Sequence, residues 1–225
     1  MWARLLDNRF LRVEWTFRRR DGTLMLGELS AVVLPDGRIQ GIVRDVTEQR
    51  RLEAERLKQQ ADLARTDSLT GTQNRRAYEE QGDQYFSVAV RHKLPIVVAL
   101  MDVDRFKSVN DTLGHAEGDR VLREVGQILS SAARTSDVVA RLGGDEFGFI
   151  LLGVDEAGAD IFFHRLVQQL DERMRARNWS VSFSIGAAAC SGGLPTPDIA
   201  KKHADELLYL AKKDGGDQVV IRTFP

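Results

Sequence analysis

The seven residues Arg141-Leu142-Gly143-Gly144-Asp145-Glu146-Phe147 constrain this chain more than any other stretch. Val138, Val139 and Ala140 precede them, and Phe147, Phe149, Ile150, Leu151 and Leu152 follow. Two short apolar runs joined by glycines predict a β-hairpin with two acidic side chains at its tip. Glycine permits positive φ and lets a large ligand approach the backbone. Adjacent carboxylates on a tight turn repel each other unless a cation sits nearby. A solvated acidic turn is the simplest account of an isolated Gly-Gly-Asp-Glu, and a second acidic segment upstream argues against it.

That segment follows Ile96-Val97-Val98-Ala99-Leu100-Met101, an unbroken apolar run that predicts a central strand buried on both faces. It ends in Asp102-Val103-Asp104 and passes into a predicted loop carrying Lys107, Asn110 and Asp111. Ligand sites of α/β sheets favour the carboxyl ends of strands. If the two strands are neighbours, Asp102 and Asp145 converge and need a counter-charge. The four histidines (His92, His115, His164, His203) have no metal-ligand spacing, and Cys190 is the single cysteine. The chemistry therefore favours a hard cation with oxygen ligands, Mg²⁺ or alternatively Mn²⁺, sharing substrate phosphates. Lys107 and the amides of Arg105 and Phe106 are placed to hold such phosphates. A nucleoside triphosphate is the expected substrate class.

Composition narrows the remainder. The 225 residues carry a net charge of −1, which gives no electrostatic reason to expect nucleic acid or an anionic membrane as partner. The single cysteine excludes an internal disulfide and suits a reducing cytoplasm. No apolar run approaches the roughly 20 residues of a membrane span, and no signal segment opens the chain.

Along the chain, residues 10–44 predict antiparallel strands: Val13, Trp15 and Phe17 alternate with polar residues, and Asp21-Gly22 and Asp36-Gly37 make hairpin turns. Residues 46–66 lack glycine and proline and predict a helix capped by Asp45 or Thr47, with Val46, Leu57, Ala61 and Ala64 on one stripe and Leu52 and Leu63 to the side. Its heptad is too irregular to establish a coiled coil, so it is expected as a linker. From Asp67 onward helices and strands alternate as one α/β domain. The expected helices begin at Asn74, at Gly114 (apolar face Val121, Val125, Ile128, Ala132), at residues bearing Ile161, Phe162, Leu166, Leu170 and Met174, and at Ile199. Val181, Phe183, Ile185 and Ala187 predict a strand with one buried face, and Gln218–Arg222 a closing strand.

Five ordered segments carry a resemblance: Asp67-x-Leu69-Thr70-Gly71-x-x-Asn74-Arg75-Arg76, Asp102-Val103-Asp104-x-Phe106-Lys107-x-x-Asn110-Asp111, Gly114-His115-x-x-Gly118-Asp119, Gly143-Gly144-Asp145-Glu146-Phe147 and Ser184-Ile185-Gly186. In this order they resemble GGDEF-domain diguanylate cyclases over residues 67–222. The resemblance implies an α/β (α+β) fold like the nucleotidyl-cyclase core, a mostly antiparallel central sheet flanked by helices. It implies condensation of two GTP into cyclic di-GMP and pyrophosphate across a homodimer. By position, Asp102, the carbonyl of Val103 and Asp145 would hold the metal. Asn110 and Asp119 would read the guanine edge. Lys107 and Lys212 would contact phosphates, with Arg105 and Phe106 beside them. Glu146 would be the base for the 3′-hydroxyl or a second metal ligand. Arg134 and Asp137, with Arg165 as a further candidate, would form an inhibitory product site.

Asp45-Val46-Thr47-Glu48 resembles the junction where a PAS sensor domain passes into a signalling helix. The expected organisation is then a truncated PAS-like β fragment at 1–45, a linker helix at 46–66 and a GGDEF domain at 67–225, with room for a phosphodiesterase domain after Pro225. One departure stands out. Gly216 occupies the position of a phosphate-binding arginine in the family pattern Lys-x-x-Gly-Arg, and Lys213 is the nearest substitute. A regulatory domain that binds GTP or cyclic di-GMP with little turnover is therefore the alternative expectation.

Overall fold

The computed structural model describes residues 10–63, 65–191, 196–213 and 215–224, with no side chains for 57–63. Two compact units divide the chain, Met1–Ala64 and Arg65–Pro225.

The first unit is a three-stranded antiparallel sheet in the order β1-β2-β3 (Phe10–Arg18, Leu24–Val33, Ile39–Asp45) followed by helix α1 (Thr47–Leu63). Val13 pairs with Leu29 and Leu29 with Val43, as the alternating pattern requires. Asp21 and Asp36 close the hairpins by accepting the amides of Thr23 and Arg38. Trp15 is exposed, against the expectation of a buried face, and so are Phe10 and Ile42. Three strands have too little area to bury both faces. Asp45 Oδ1 accepts the Thr47 amide at 3.0 Å, so the aspartate supplies the cap at the start of α1. Of the expected α1 stripe, Val46 is buried; Leu57, Ala61, Ala64 and the flanking Leu63 lie outside the described side chains, and Leu52 is exposed.

The second unit is built on a six-stranded mixed sheet in the order β4-β6-β7-β5-β8-β9 (Gln73–Asn74, Val138–Gly143, Glu146–Leu152, Ile96–Asp104, Ser182–Cys190, Val219–Phe224). Strand β5 lies antiparallel to both β7 and β8, while the outermost pairs β4–β6 and β8–β9 are parallel. Its apolar run splits by side-chain direction: Val97, Ala99 and Met101 enter one core, and Ile96, Val98 and Leu100 the other. Helices α2 (Arg75–His92) and α6 (Pro197–Lys213) cover one face, and α4 (His115–Ala132) and α5 (Glu156–Ala176) the opposite one. Asn74 caps α2 by accepting the Ala77 amide. This is the α/β fold expected, with a central sheet flanked by helices and a separate N-terminal β fragment.

Three local expectations need correction. Residues 106–113 form helix α3 (Phe106–Leu113) where a loop was expected, because Phe106 and Val109 place apolar groups one turn apart against the core. Ile161 is exposed; the buried stripe of α5 runs Ala159, Phe163, Leu166, Leu170 and Met174, anchored by an edge-to-face contact of Phe163 with Phe149. Strand β8 is buried on both faces rather than one. Its Ser/Gly face is small because helix α6 presses onto it.

Gly186 marks that contact. A Cβ there would lie 2.1 Å from the Leu208 amide nitrogen and 2.4 Å from the Ala204 carbonyl oxygen. Both are helix backbone atoms, which cannot move aside without displacing α6. Gly186→Ala is expected to destabilise the domain by about 2–3 kcal/mol, read as a lowered denaturant midpoint. An unchanged midpoint would mean that α6 packs elsewhere.

Candidate active site

The site forms at one end of the sheet, where β5 ends, the β6–β7 hairpin turns and α3 begins. Asp102 is paired across the sheet with Glu146 and with Ser184. The amide of Val103 donates to the carbonyl of Asp145 at 3.3 Å. These strand contacts bring the Asp102 and Asp145 segments together, as the sequence required. Gly143 and Gly144, with φ of 151° and 53°, make the turn between them.

Asp102 is buried. Burial pushes its carboxyl above the usual range; Asp145 and Asp104 push the same way, and a hydrogen bond and charge from Lys212 only partly offset them. Lys212 Nζ lies 2.7 Å from Asp102 Oδ2. The expected phosphate lysine thus meets the expected metal ligand directly. A carboxylate held above its normal pKa despite a lysine partner has cation demand to spare. Among the described residues no group of three or more His, Cys, Asp or Glu side chains is placed to hold a metal ion. What the site offers is two carboxylates and the Val103 carbonyl. That incomplete oxygen set suits Mg²⁺, which leaves positions to water and phosphate.

The remaining expected residues surround this point. Arg105 adopts φ 60° and leaves α3 without a side-chain cap, so the first-turn amides have no side-chain acceptor. Phe106 packs against the core, whereas Lys107 and Glu146 are exposed. Asn110 is fixed by close packing: a Cβ at Gly118 would lie 2.0 Å from its Oδ1. Asp119, just past the first turn of α4, is half exposed, 3.8 Å from Arg123.

Sequence reasoning passed over two arginines here. Arg141 donates to the Gly144 carbonyl through Nε at 2.9 Å and Nη2 at 2.7 Å, and its Nη1 lies 3.3 Å from Asp67. Arg75 Nε donates to the Leu142 carbonyl at 2.7 Å. Arg75 braces the acidic turn from a segment distant in sequence, while Arg141, on the hairpin strand itself, ties the turn to Asp67. Burial would raise the Asp67 carboxyl, but hydrogen bonds from the Thr70 hydroxyl and amide, with the Arg141 charge, hold it below the usual range. The available signal was a charged residue, Arg141, within an otherwise apolar strand. Thr72 is buried, and its hydroxyl lies 2.9 Å from that of Thr70.

Arg134, Asp137 and Arg165 come together elsewhere, lining one cavity of about 320 Å³ with Leu151 and Phe162. Asp137 Oδ2 accepts the Arg134 amide at 2.8 Å. Its Oδ1 is buried and has no hydrogen-bond partner among the described residues. An orphan acceptor in a cavity that two arginines also line suits a ligand that offers both a donor edge and a phosphate.

Comparison with known proteins bears on both places. A family model described as "Diguanylate cyclase, GGDEF domain" matches residues 64–218. The chain is 35% identical over 167 residues to the probable diguanylate cyclase DgcT of Escherichia coli K12, covering 72% of this chain and 36% of that protein. It is 37% identical over 168 residues to the response regulator PleD of Caulobacter vibrioides, covering 71% and 36%. The chain therefore spans little more than a third of the length of these relatives. Among solved structures, the GGDEF domain of DgcB from Caulobacter crescentus in complex with c-di-GMP superposes with a TM-score of 0.66 at 30% identity, covering 70% of this chain and 95% of that one. A second DgcB structure, with its coiled coil, gives a TM-score of 0.67 at 30% identity and covers 78% and 94%. No helix among the described residues is long and apolar enough to cross a membrane.

Proposed function

The chain belongs to the GGDEF-domain diguanylate cyclase family, and on that premise we propose that it condenses two GTP into cyclic di-GMP and pyrophosphate across a homodimer. The observation that carries this reading is the buried Asp102 carboxyl beside the Asp145 turn, held above its usual pKa. A divalent cation, Mg²⁺ or Mn²⁺, bound by Asp102, the Val103 carbonyl and Asp145 would neutralise charge that builds up during phosphoryl transfer. Lys212 is freed from Asp102 to meet the triphosphate, with Lys107 and the first-turn amides of α3 on the same phosphates. Asn110 and Asp119 read the guanine edge with an amide and a carboxylate. Glu146, exposed at the turn, takes the proton of the attacking 3′-hydroxyl or serves a second ion.

One site holds one GTP, so each nucleotide must present its hydroxyl to the α-phosphate of the other across a twofold axis. Helix α1 is the device proposed to bring two copies together, and the sheet ahead of it the remnant of a PAS-type sensor. In this reading residues 1–45, 46–66 and 67–225 are sensor fragment, linker and catalytic domain. Cyclic di-GMP would return to the cavity at Arg134, Asp137 and Arg165 as an inhibitor. A GTP-consuming enzyme of this kind works in the cytoplasm.

The absence of an arginine at position 216 favours a second reading, a nucleotide-binding regulatory domain with little turnover. Losing one charge-assisted phosphate contact costs about 1.5–3 kcal/mol. The test is cyclic di-GMP formation from GTP and Mg²⁺ over a range of protein concentrations. The cyclase reading expects the initial rate to rise with about the square of protein concentration below the dimerisation constant. GTP binding with no product at any concentration would leave the regulatory reading standing.

A further inference from the structure

Asp104 has no part in the roles assigned above, yet its carboxylate gathers more hydrogen bonds than any of the assigned acidic groups. It ends β5 beside Asp102. The Ser184 hydroxyl reaches its Oδ1 at 2.8 Å and its Oδ2 at 2.9 Å, and the Ser182 hydroxyl reaches Oδ2 at 3.1 Å. The Asp217 amide donates to Oδ2 at 2.9 Å. Ser184 is wholly buried, so this carboxylate is part of the frame of the domain rather than a solvated side chain.

The loop it holds has an unusual backbone. Gly215, Gly216 and Asp217 have φ of 103°, 79° and 60° in succession. Consecutive positive φ is costly for a side-chain-bearing residue such as Asp217 unless something fixes it. Here the Asp104 carboxylate does so by accepting the Asp217 amide. It lies so close that a Cβ on Gly216 would sit 2.9 Å from its Cγ and from both oxygens. The same loop follows directly on α6. Gly215 donates to the Lys212 carbonyl at 3.2 Å, and Lys212 Nζ reaches Asp102. A continuous chain of contacts therefore runs from Asp104 through the 215–217 backbone to the end of α6 and its lysine.

We propose that Asp104 is a positioning residue for the triphosphate side of the site: it locks the 215–217 backbone and thereby sets where Lys212 can stand. This rests on the reading of Lys212 as a phosphate ligand. It also accounts for glycine at 216. In the locked backbone a side chain at that position collides with Asp104, so this chain places its cationic contact through Lys212 and a fixed helix end.

The experiment compares Asp104→Ala with Asp104→Asn in the full chain. The asparagine carbonyl can still accept the Asp217 amide and a serine hydroxyl; alanine cannot. Binding of 3′-deoxy-GTP with Mg²⁺, measured by calorimetry, reads the phosphate site without any turnover because the attacking hydroxyl is missing. Amide hydrogen exchange at Asp217 reads the lock itself. Asp104→Ala is expected to weaken binding about tenfold and to speed Asp217 exchange, with Asp104→Asn staying within about threefold of wild type in both. Where the wild type turns over, the alanine variant raises KM with kcat within about threefold. Unchanged binding in Asp104→Ala would overturn the proposal. So would equal loss in the two variants, which would mark Asp104 as acting through its charge. A wild type that binds 3′-deoxy-GTP but never condenses GTP would remove the cyclase reading while leaving this test intact.

Discussion

Replacing Asp102 with asparagine is expected to abolish cyclic di-GMP synthesis while making the protein more stable. Activity should fall by about 10²–10³-fold or more, because a neutral amide cannot replace the anionic ligand proposed to hold the cation that neutralises the phosphates. Stability should move the other way. Burial, with Asp145 and Asp104 adding and Lys212 partly offsetting, raises the folded-state pKa of Asp102. A carboxyl whose folded pKa lies above its unfolded value carries no penalty below the unfolded value. The penalty grows as pH rises between the two values and is complete above the folded one. At neutral pH the native site is therefore strained electrostatically, and Asp102→Asn relieves it. The melting temperature is expected to rise near pH 7, with the gap to wild type closing as the pH falls below the ordinary aspartate range. A variant less stable than wild type at pH 7 would mean that Lys212 more than compensates the buried charge. By the same sign, Mg²⁺ affinity should weaken on acidification at a higher pH than for an ordinary surface aspartate.

The second large effect concerns the other cavity. Arg134→Ala is expected to raise the cyclic di-GMP concentration that halves the rate by about ten- to a hundredfold, the size of one charge-assisted contact. Arg134 is exposed, so its removal should leave folding intact. Asp137→Asn should act in the same direction, since it exchanges the buried orphan oxygen Oδ1 for a group that offers a mixed donor and acceptor pattern. An inhibition curve unaltered in both variants would mean that the cavity lined by Arg134, Asp137 and Arg165 is not where product acts.

Much of this was written in local sequence. The apolar run from Ile96 to Met101, followed by carboxylates, defines a central strand and its functional end, because a strand buried on both faces cannot present polar groups until it leaves the core. The glycine pair and the two acids at 143–146 define a turn for the same kind of reason: backbone sterics allow little else. Helix α5 shows the limit. Its period was legible, but the face was misjudged at Ile161, since a one-residue rotation of a helix depends on what packs against it. Helix α3 was missed because eight residues with two apolar positions carry too weak a period to be seen without the core they touch.

The sequence by itself determined the order of the longer strands and helices, the acidic strand end and turn, and the motif set that marks the family. Only the tertiary structure decided that Arg141 and Arg75 brace the turn, that Lys212 meets Asp102, and that Asp104 locks the loop at Gly216. Local choices follow from backbone sterics and hydrophobic period, which act over a few residues. The Arg75, Lys212 and Asp104 contacts, and that of Arg141 with Asp67, join residues from 67 to 113 positions apart, and only sheet pairing and helix docking bring such groups within hydrogen-bonding range.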